Sequence, residues 1–116
     1  PLQARTLLND QAYVEMALGF AVSILERTQG KSDKDRITHA VRRALSRDPS
    51  DREIKVLLSL LNEQSERLKS DTSIAKSLLS QAPQIEVSEK LDSDEVGAWF
   101  FVANALLNLD ETITKG

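Results

Sequence analysis

Apolar residues recur along this chain at intervals of three and four, which is the spacing of one face of an α-helix. The clearest example is the run of Ile37, Ala40, Val41, Ala44 and Leu45, which follows the helical template at every step. Strand signals are weak throughout. The pattern therefore predicts an all-α fold, a compact bundle of five to six helices.

Start and stop residues divide this pattern into separate helices. Asn9 or Asp10 caps a helix over residues 11–28, and Ser32, with Asp35 three residues later, begins the next one. A short helix is predicted over residues 2–8 and another over residues 74–79. The last helix begins at Ser93 and has acids in its first turn, which suits the helix dipole.

The middle of the chain, residues 33–69, is predicted to form an αα-hairpin. Pro49 ends the first of its two helices, because a residue before proline is pushed out of helical conformation. Ser50 and Glu53 have the spacing of a full capping box and begin the second helix. Since only about four residues link the two helices, they should pack side by side.

Two helices, residues 11–28 and the one that begins at Ser93, are apolar around most of their circumference. Such helices are buried, so these two should pack together at the centre of the bundle. Gly19 lies inside the first and costs about 1 kcal/mol relative to alanine. Either another helix backbone approaches over Gly19 and Ser23, or Gly19 is a tolerated surface glycine. Residues 84–91 are mostly polar and are expected to form an extended surface loop.

Asparagine and aspartate near both ends of the chain predict structural turns at residues 8–10 and 107–110. Their side chains would satisfy free backbone groups at helix ends. Asp110 and Glu111 follow the last helix and could receive Arg42 or Arg47 in partly buried ion pairs. The candidate turn and ion-pair residues are Asn9, Asp10, Arg42, Arg47, Asn108, Asp110 and Glu111.

Composition narrows the class of protein. With 116 residues, 41% of them hydrophobic and 28% charged, the chain is expected to form one soluble helical domain over residues 1–116. The net charge of −3 gives no electrostatic reason to expect nucleic acid as a partner. Without cysteine, the chain cannot form a disulfide, a thiolate zinc site or a covalent haem attachment. No apolar run approaches the ~20 residues that a membrane helix needs.

The residues offer no catalytic, cofactor-binding or metal-binding constellation. His39 is the only histidine and is interpreted as a solvated surface residue. Arginines make a basic stripe on the third predicted helix, and with the helix that follows they could mimic a helix-turn-helix. The negative net charge and the acids on the second helix of the hairpin argue against DNA binding. The stripe, which is interpreted as a solvated face or as ion pairs with neighbouring acids, consists of Arg36, Arg42, Arg43 and Arg47.

Four segments together resemble one family. The first is Pro1-Leu2-Gln3-Ala4 with Leu7-Leu8-Asn9-Asp10. The second runs from Arg36 through Ala40-Val41-Arg42 and Ala44-Leu45 to Pro49. The third is Glu53 with Leu57, and the last is residues 99–111. In this order they are similar to the C-terminal part of a planctomycete-type secreted domain of unknown function. Departures from the family pattern are Arg5-Thr6, Gln11, Val41, Asn104 and Thr112.

That family accompanies planctomycete cytochrome c domains, whose haem motifs would lie upstream. The resemblance implies an extracytoplasmic location and a non-catalytic structural or interaction role, at the C-terminal end of a larger multidomain protein. Its partners would be the upstream domains or another protein, with no cofactor in this part. One alternative is a fragment that contributes acids and arginines to an active site completed upstream. A second is a helix-turn-helix DNA binder.

Overall fold

The computed structural model describes the backbone of residues 10–115 and the side chains of residues 11–109. This part of the chain contains five α-helices and no strand, which confirms the all-α prediction. None of these helices is long and apolar enough to cross a membrane. The predicted helix over residues 2–8 lies outside the described residues. The helices are α1 (Asp10–Arg27), α2 (Asp33–Leu45), α3 (Asp51–Ser70), α4 (Ser73–Ser80) and α5 (Ser93–Lys115).

Local side-chain caps begin the two helices of the hairpin, as predicted. The Ser32 hydroxyl accepts a hydrogen bond from the backbone N–H of Asp35 at 3.1 Å. At α3, the Ser50 hydroxyl accepts from the N–H of Glu53 at 3.1 Å, and the Glu53 carboxylate accepts from the N–H of Ser50 at 2.8 Å. Such a box satisfies two donors that the first helical turn leaves free.

The turn between α2 and α3 brings the two helices side by side. Ser46 follows α2 with φ of 57°, and its N–H donates to the carbonyl of Arg42 at 3.0 Å. Non-glycine residues rarely adopt this left-handed conformation, which is typical of a helix C-terminus. Because α2 and α3 then pack against each other, the predicted αα-hairpin is confirmed.

The two mostly apolar helices lie at the centre of the bundle. α1 packs against α5 more extensively than any other pair of helices, followed closely by α3 against α5. Trp99 of α5 is almost completely buried. The predicted packing of the two central helices is therefore confirmed. The largest fully buried aliphatic side chains around them are Leu18, Ile24, Leu25, Ile37, Leu68 and Leu106.

Two glycines of the central helices face different neighbours. A Cβ at Gly97 of α5 would lie 2.7 Å from Cδ2 of Leu68, so α3 and α5 approach closely there. A Cβ at Gly19 of α1 would lie 3.6 Å from Cδ1 of Ile85, an ordinary van der Waals distance. The approach of a helix backbone is therefore wrong, because the nearest atom belongs to a loop side chain; Gly19 itself is half-buried and keeps part of its surface open to solvent.

The loop over residues 81–92 is more buried than its polar composition indicates. Ile85, Val87 and Leu91 are half-buried and pack against the core. The prediction of a surface loop is therefore wrong for these three residues. Cδ1 of Ile85 lies over Gly19, so the loop packs on the central helix α1.

The last helix is longer than predicted. α5 continues to Lys115, so the expected turn over residues 107–110 is wrong. Asn and Asp are weak helix formers, with a penalty of only a few tenths of a kcal/mol each, and residues 111–115 contain no glycine or proline that would end the helix earlier. Packing of the buried Leu106 against the core outweighs that local preference.

Candidate functional site

Arg42 and Arg47, the two arginines predicted to form ion pairs, both lie where α2 turns into α3. The Nε of Arg42 donates to the carboxylate of Asp48, and both side chains are largely exposed. Arg47 donates from Nη1 and Nη2 to the two carboxylate oxygens of Glu53, at 2.8 and 2.7 Å. Two parallel hydrogen bonds of this kind fix geometry as well as charge. Both arginines therefore stabilise the hairpin turn.

Glu53 receives more hydrogen bonds than any other carboxylate at this turn. The pairing with Arg47 and the N–H of Ser50 lower the pKa of Glu53 to about 2. Donors that hydrogen-bond to a carboxylate favour its charged form. Glu53 consequently stays ionised at neutral pH and acts as an acceptor that joins the turn to the first turn of α3.

Arg36 connects α2 to α5 and to the end of α1. Its Nη1 lies 3.1 Å from Oε2 of Glu95, and its Nε donates to the carbonyl of Thr28 at 3.3 Å. Only 13% of the Arg36 side chain is exposed. Arg36 was placed in the basic stripe, and the sequence did not indicate Glu95 as its partner. A signal was present, since Arg36 lies four residues before the buried Ala40 and so borders the apolar face of α2.

Arg43 connects α2 to α1. Its Nη1 donates to the hydroxyl of Ser23 at 2.8 Å, and its guanidinium carbon lies 5.3 Å from the centroid of the Phe20 ring. This is within the range of a cation–π interaction. The Ser23 hydroxyl therefore accepts a hydrogen bond from an arginine, and the alternative in which a helix backbone approaches over Ser23 is wrong.

His39 is half-buried on α2, so its interpretation as a solvated surface histidine is wrong. Its Nε2 is buried and has no hydrogen-bond partner within the described part of the chain. Burial, and then the nearby charges of Arg43, Arg27 and Arg42, lower the pKa of His39 below 6.5. Desolvation and like charges both disfavour the protonated imidazole. His39 is therefore neutral at pH 7 and is packed as part of the fold.

Asn108 is the candidate turn residue with a described side chain. The hydroxyl of Tyr13 on α1 donates to its Oδ1 at 3.3 Å. Asn108 thus joins the C-terminal part of α5 to the N-terminal part of α1. Asp10 is the first residue of α1, and its side chain lies outside the described residues, as do Asn9 and the side chains of Asp110 and Glu111.

One shallow depression gathers charged groups between the end of α3 and the start of α5. Its lining residues are Ser65, Lys69, Asp92, Asp94 and Glu95. The carboxylate of Asp92 accepts from the N–H of Asp94 at 3.3 Å, so it serves the first turn of α5. Among residues 11–109, no three side chains of His, Asp or Glu are placed to hold a metal ion together.

Comparison with protein families matches residues 1–61 to the family described as PSD1, protein of unknown function (DUF1553). The matched segment is just over half of the 116 residues and ends within α3. It confirms the resemblance to a planctomycete-type domain of unknown function. No curated protein and no solved structure matches the chain significantly.

Proposed function

We propose that this chain, which belongs to the PSD1 family of proteins of unknown function (DUF1553), is a non-catalytic helical interaction module. It packs against upstream domains or a partner protein, as the C-terminal part of a larger extracytoplasmic, cytochrome-linked protein. Residues 1–116 act as one domain in this proposal, and any haem is held upstream.

The observation that carries the proposal is the use of the four arginines of the α2 region. Arg36 pairs with Glu95, Arg42 with Asp48 and Arg47 with Glu53, while Arg43 donates to a serine. Each contact joins helices or stabilises the hairpin turn. The four arginines that were candidates for binding or catalysis therefore stabilise the fold.

The same contacts weigh against the two alternatives. An active-site fragment would present arginines or acids to an upstream site, but Arg42 and Arg47 already bind carboxylates of their own hairpin. A DNA-binding hairpin needs free cations that release counterions from phosphates. Pairing with acids reduces the number of cations that this surface can offer.

Exposed apolar side chains near the start of α1 indicate where an upstream domain would dock. Met16 of α1 is 45% exposed and Leu109 of α5 is 37% exposed. The bond between Tyr13 and Asn108 brings these parts of α1 and α5 together. Met16 lies six residues into α1, roughly 9 Å along its axis from the point where the preceding chain arrives. An upstream domain would reach this end first.

Isothermal titration calorimetry of this chain against the separately produced upstream region of its own protein tests the docking. We expect saturable binding, weakened about tenfold or more by Met16→Asp, which is about 1.4 kcal/mol. Val56→Asp, a matched change at an exposed apolar residue of α3, should leave the affinity unchanged. Absence of binding, or equal weakening by both variants, would refute this docking position.

The cellular part of the proposal rests on the family resemblance and has its own tests. Fractionation of cells that produce the tagged full-length protein should place it outside the cytoplasm. The absorption spectrum of the purified full-length protein should show haem bands. Recovery in the cytoplasm would remove the extracytoplasmic assignment, and a spectrum without haem bands would remove the link to cytochromes.

A further inference from the structure

The outward face of α3 has charges arranged symmetrically about one small residue. Lys55 and Glu63 lie four residues on either side of Ser59, and Arg52 and Glu66 lie seven residues on either side. Four and seven residues are about one and two helical turns, so these side chains share one face of the helix. We call this exposed face the α3 stripe; it comprises Arg52, Lys55, Val56, Ser59, Glu63 and Glu66.

The α3 stripe is not used by the fold. α3 packs on the core through Leu57, Leu61 and Leu68, which lie on its other side. None of the four charged side chains of the stripe makes an ion pair with any residue in the described part of the chain. Val56 is 59% exposed, the highest value for a large apolar side chain among residues 11–109.

The charge order of the stripe runs against the helix dipole of α3. Its cations lie in the N-terminal half and its acids in the C-terminal half, which is the reverse of what a helix dipole favours. The helix dipole therefore gives no reason for this arrangement. An external surface of matching charge does give one.

We infer that the α3 stripe binds the α3 stripe of a second copy of this chain, with the two helices antiparallel. A two-fold axis near Ser59 places the cations of each copy opposite the acids of the other. The small side chain of Ser59 lets the helices approach closely, and Val56 and Leu60 add apolar contact beside a shallow surface groove. A self-complementary patch of this kind is the requirement for an isologous dimer.

The inferred dimer should be weak and sensitive to salt. The stripe from Arg52 to Glu66 is about 21 Å long, so one helix pair places the contact at the low end of interface sizes. Exposed charge pairs are screened by salt. The inferred dimer gives the interaction role proposed above a specific surface, the α3 stripe, and a specific partner, a second copy of this chain. It rests on the proposed function only because both assign the chain an interaction role.

Sedimentation equilibrium of the 116-residue chain at rising concentration and low salt is the direct test. We expect a monomer–dimer equilibrium that high salt weakens. The variants R52E/K55E and E63K/E66K, each with a stripe of one sign, should lose self-association about tenfold or more. An equimolar mixture of the two should dimerise, and the variant with all four reversals should dimerise alone.

Matched controls shift the net charge by the same amounts at exposed positions outside α3. K34E/K76E matches the first variant and E26K/E86K the second; both should dimerise as the unmodified chain does. Both stripe variants move charges towards the order that the helix dipole favours, so they are expected to fold. Far-UV circular dichroism and thermal unfolding verify this.

A chain that stays monomeric at high concentration and low salt would overturn the inference. So would dimers that survive both stripe variants, or a mixture of the two that fails to associate. If the stripe variants instead lose binding to the upstream region, the stripe serves that partner and the second copy is excluded. Loss of docking in Met16→Asp alone concerns the proposed function and leaves the stripe dimer standing.

Discussion

Replacement of Gly97 by alanine is the sharpest test of how α3 and α5 pack. Helix propensity alone predicts stabilisation, because alanine is favoured over glycine by about 1 kcal/mol inside a helix. Packing predicts the opposite, since the new Cβ would lie 2.7 Å from Cδ2 of Leu68 and 3.7 Å from Cβ of Ala75. Leu68 is completely buried and cannot turn into solvent.

The two effects have comparable size, and the structure decides which is larger. Insertion of a methyl group into a packed core costs about 1–3 kcal/mol, because buried side chains leave their preferred rotamers or the helices separate. Subtraction of the propensity gain leaves a net destabilisation of about 1 kcal/mol. For a domain of this size that is a fall in Tm of about 4 °C.

Gly19→Ala is the matched control on the other central helix. Its Cβ would make an ordinary contact with Ile85, so the propensity gain is retained and the free energy of unfolding should rise by up to about 1 kcal/mol. Urea unfolding followed by circular dichroism and by the fluorescence of Trp99 measures both variants. Trp99 is the only tryptophan and is buried, so its emission reports the loss of the core.

A double-mutant cycle identifies the clash. Leu68→Ala alone should cost about 2–5 kcal/mol through its cavity. In that background Gly97→Ala should become stabilising, a change of sign that only removal of the clash explains. If Gly97→Ala stabilises the unmodified chain as much as Gly19→Ala does, the close packing of α3 on α5 is refuted.

Two further predictions concern pH. The low pKa of Glu53 means that its ionised form stabilises the fold above about pH 4.5, and this contribution is lost as the pH falls towards about 2. Urea titrations should show that Glu53→Gln, which keeps a side-chain acceptor for the capping box, loses less stability at acid pH than the unmodified chain. An equal loss of stability in both proteins would refute the pairing with Arg47. The lowered pKa of His39 means that the fold is favoured while the imidazole is neutral, so stability should fall as the pH drops through 6.5. In His39→Gln this fall in stability near pH 6.5 should become smaller. If the fall is unchanged in the variant, another group causes it.

Local sequence was sufficient where a structure depends on residues close together in the chain. Ser32 with Asp35, and Ser50 with Glu53, act over three residues, so the caps and the hairpin were predictable. The apolar spacing of α2 and the nearly all-round apolar surface of the central helices likewise indicated which faces are buried. These features fixed the fold class.

Long-range partners were not predictable from the same patterns. The sequence indicated that Arg42 and Arg47 would pair with acids, but not that the acids would be Asp48 and Glu53. Arg36 and Glu95 are 59 residues apart and meet only because α2 packs across α5. His39 was misinterpreted for a related reason, since one of the charges that lower its pKa, Arg27, lies on α1.

The sequence by itself determined where the helices of the described part lie, the caps of α2 and α3, the hairpin and the membership of a family of unknown function. Only the tertiary structure decided which side chains contact Gly19 and Gly97, how far α5 continues, and which charged side chains pair with each other within the fold. Helix formation and capping follow from interactions within about one turn, which a linear pattern records. Packing and charge pairing depend on distances between elements remote in the chain, and these exist only once the helices have assembled.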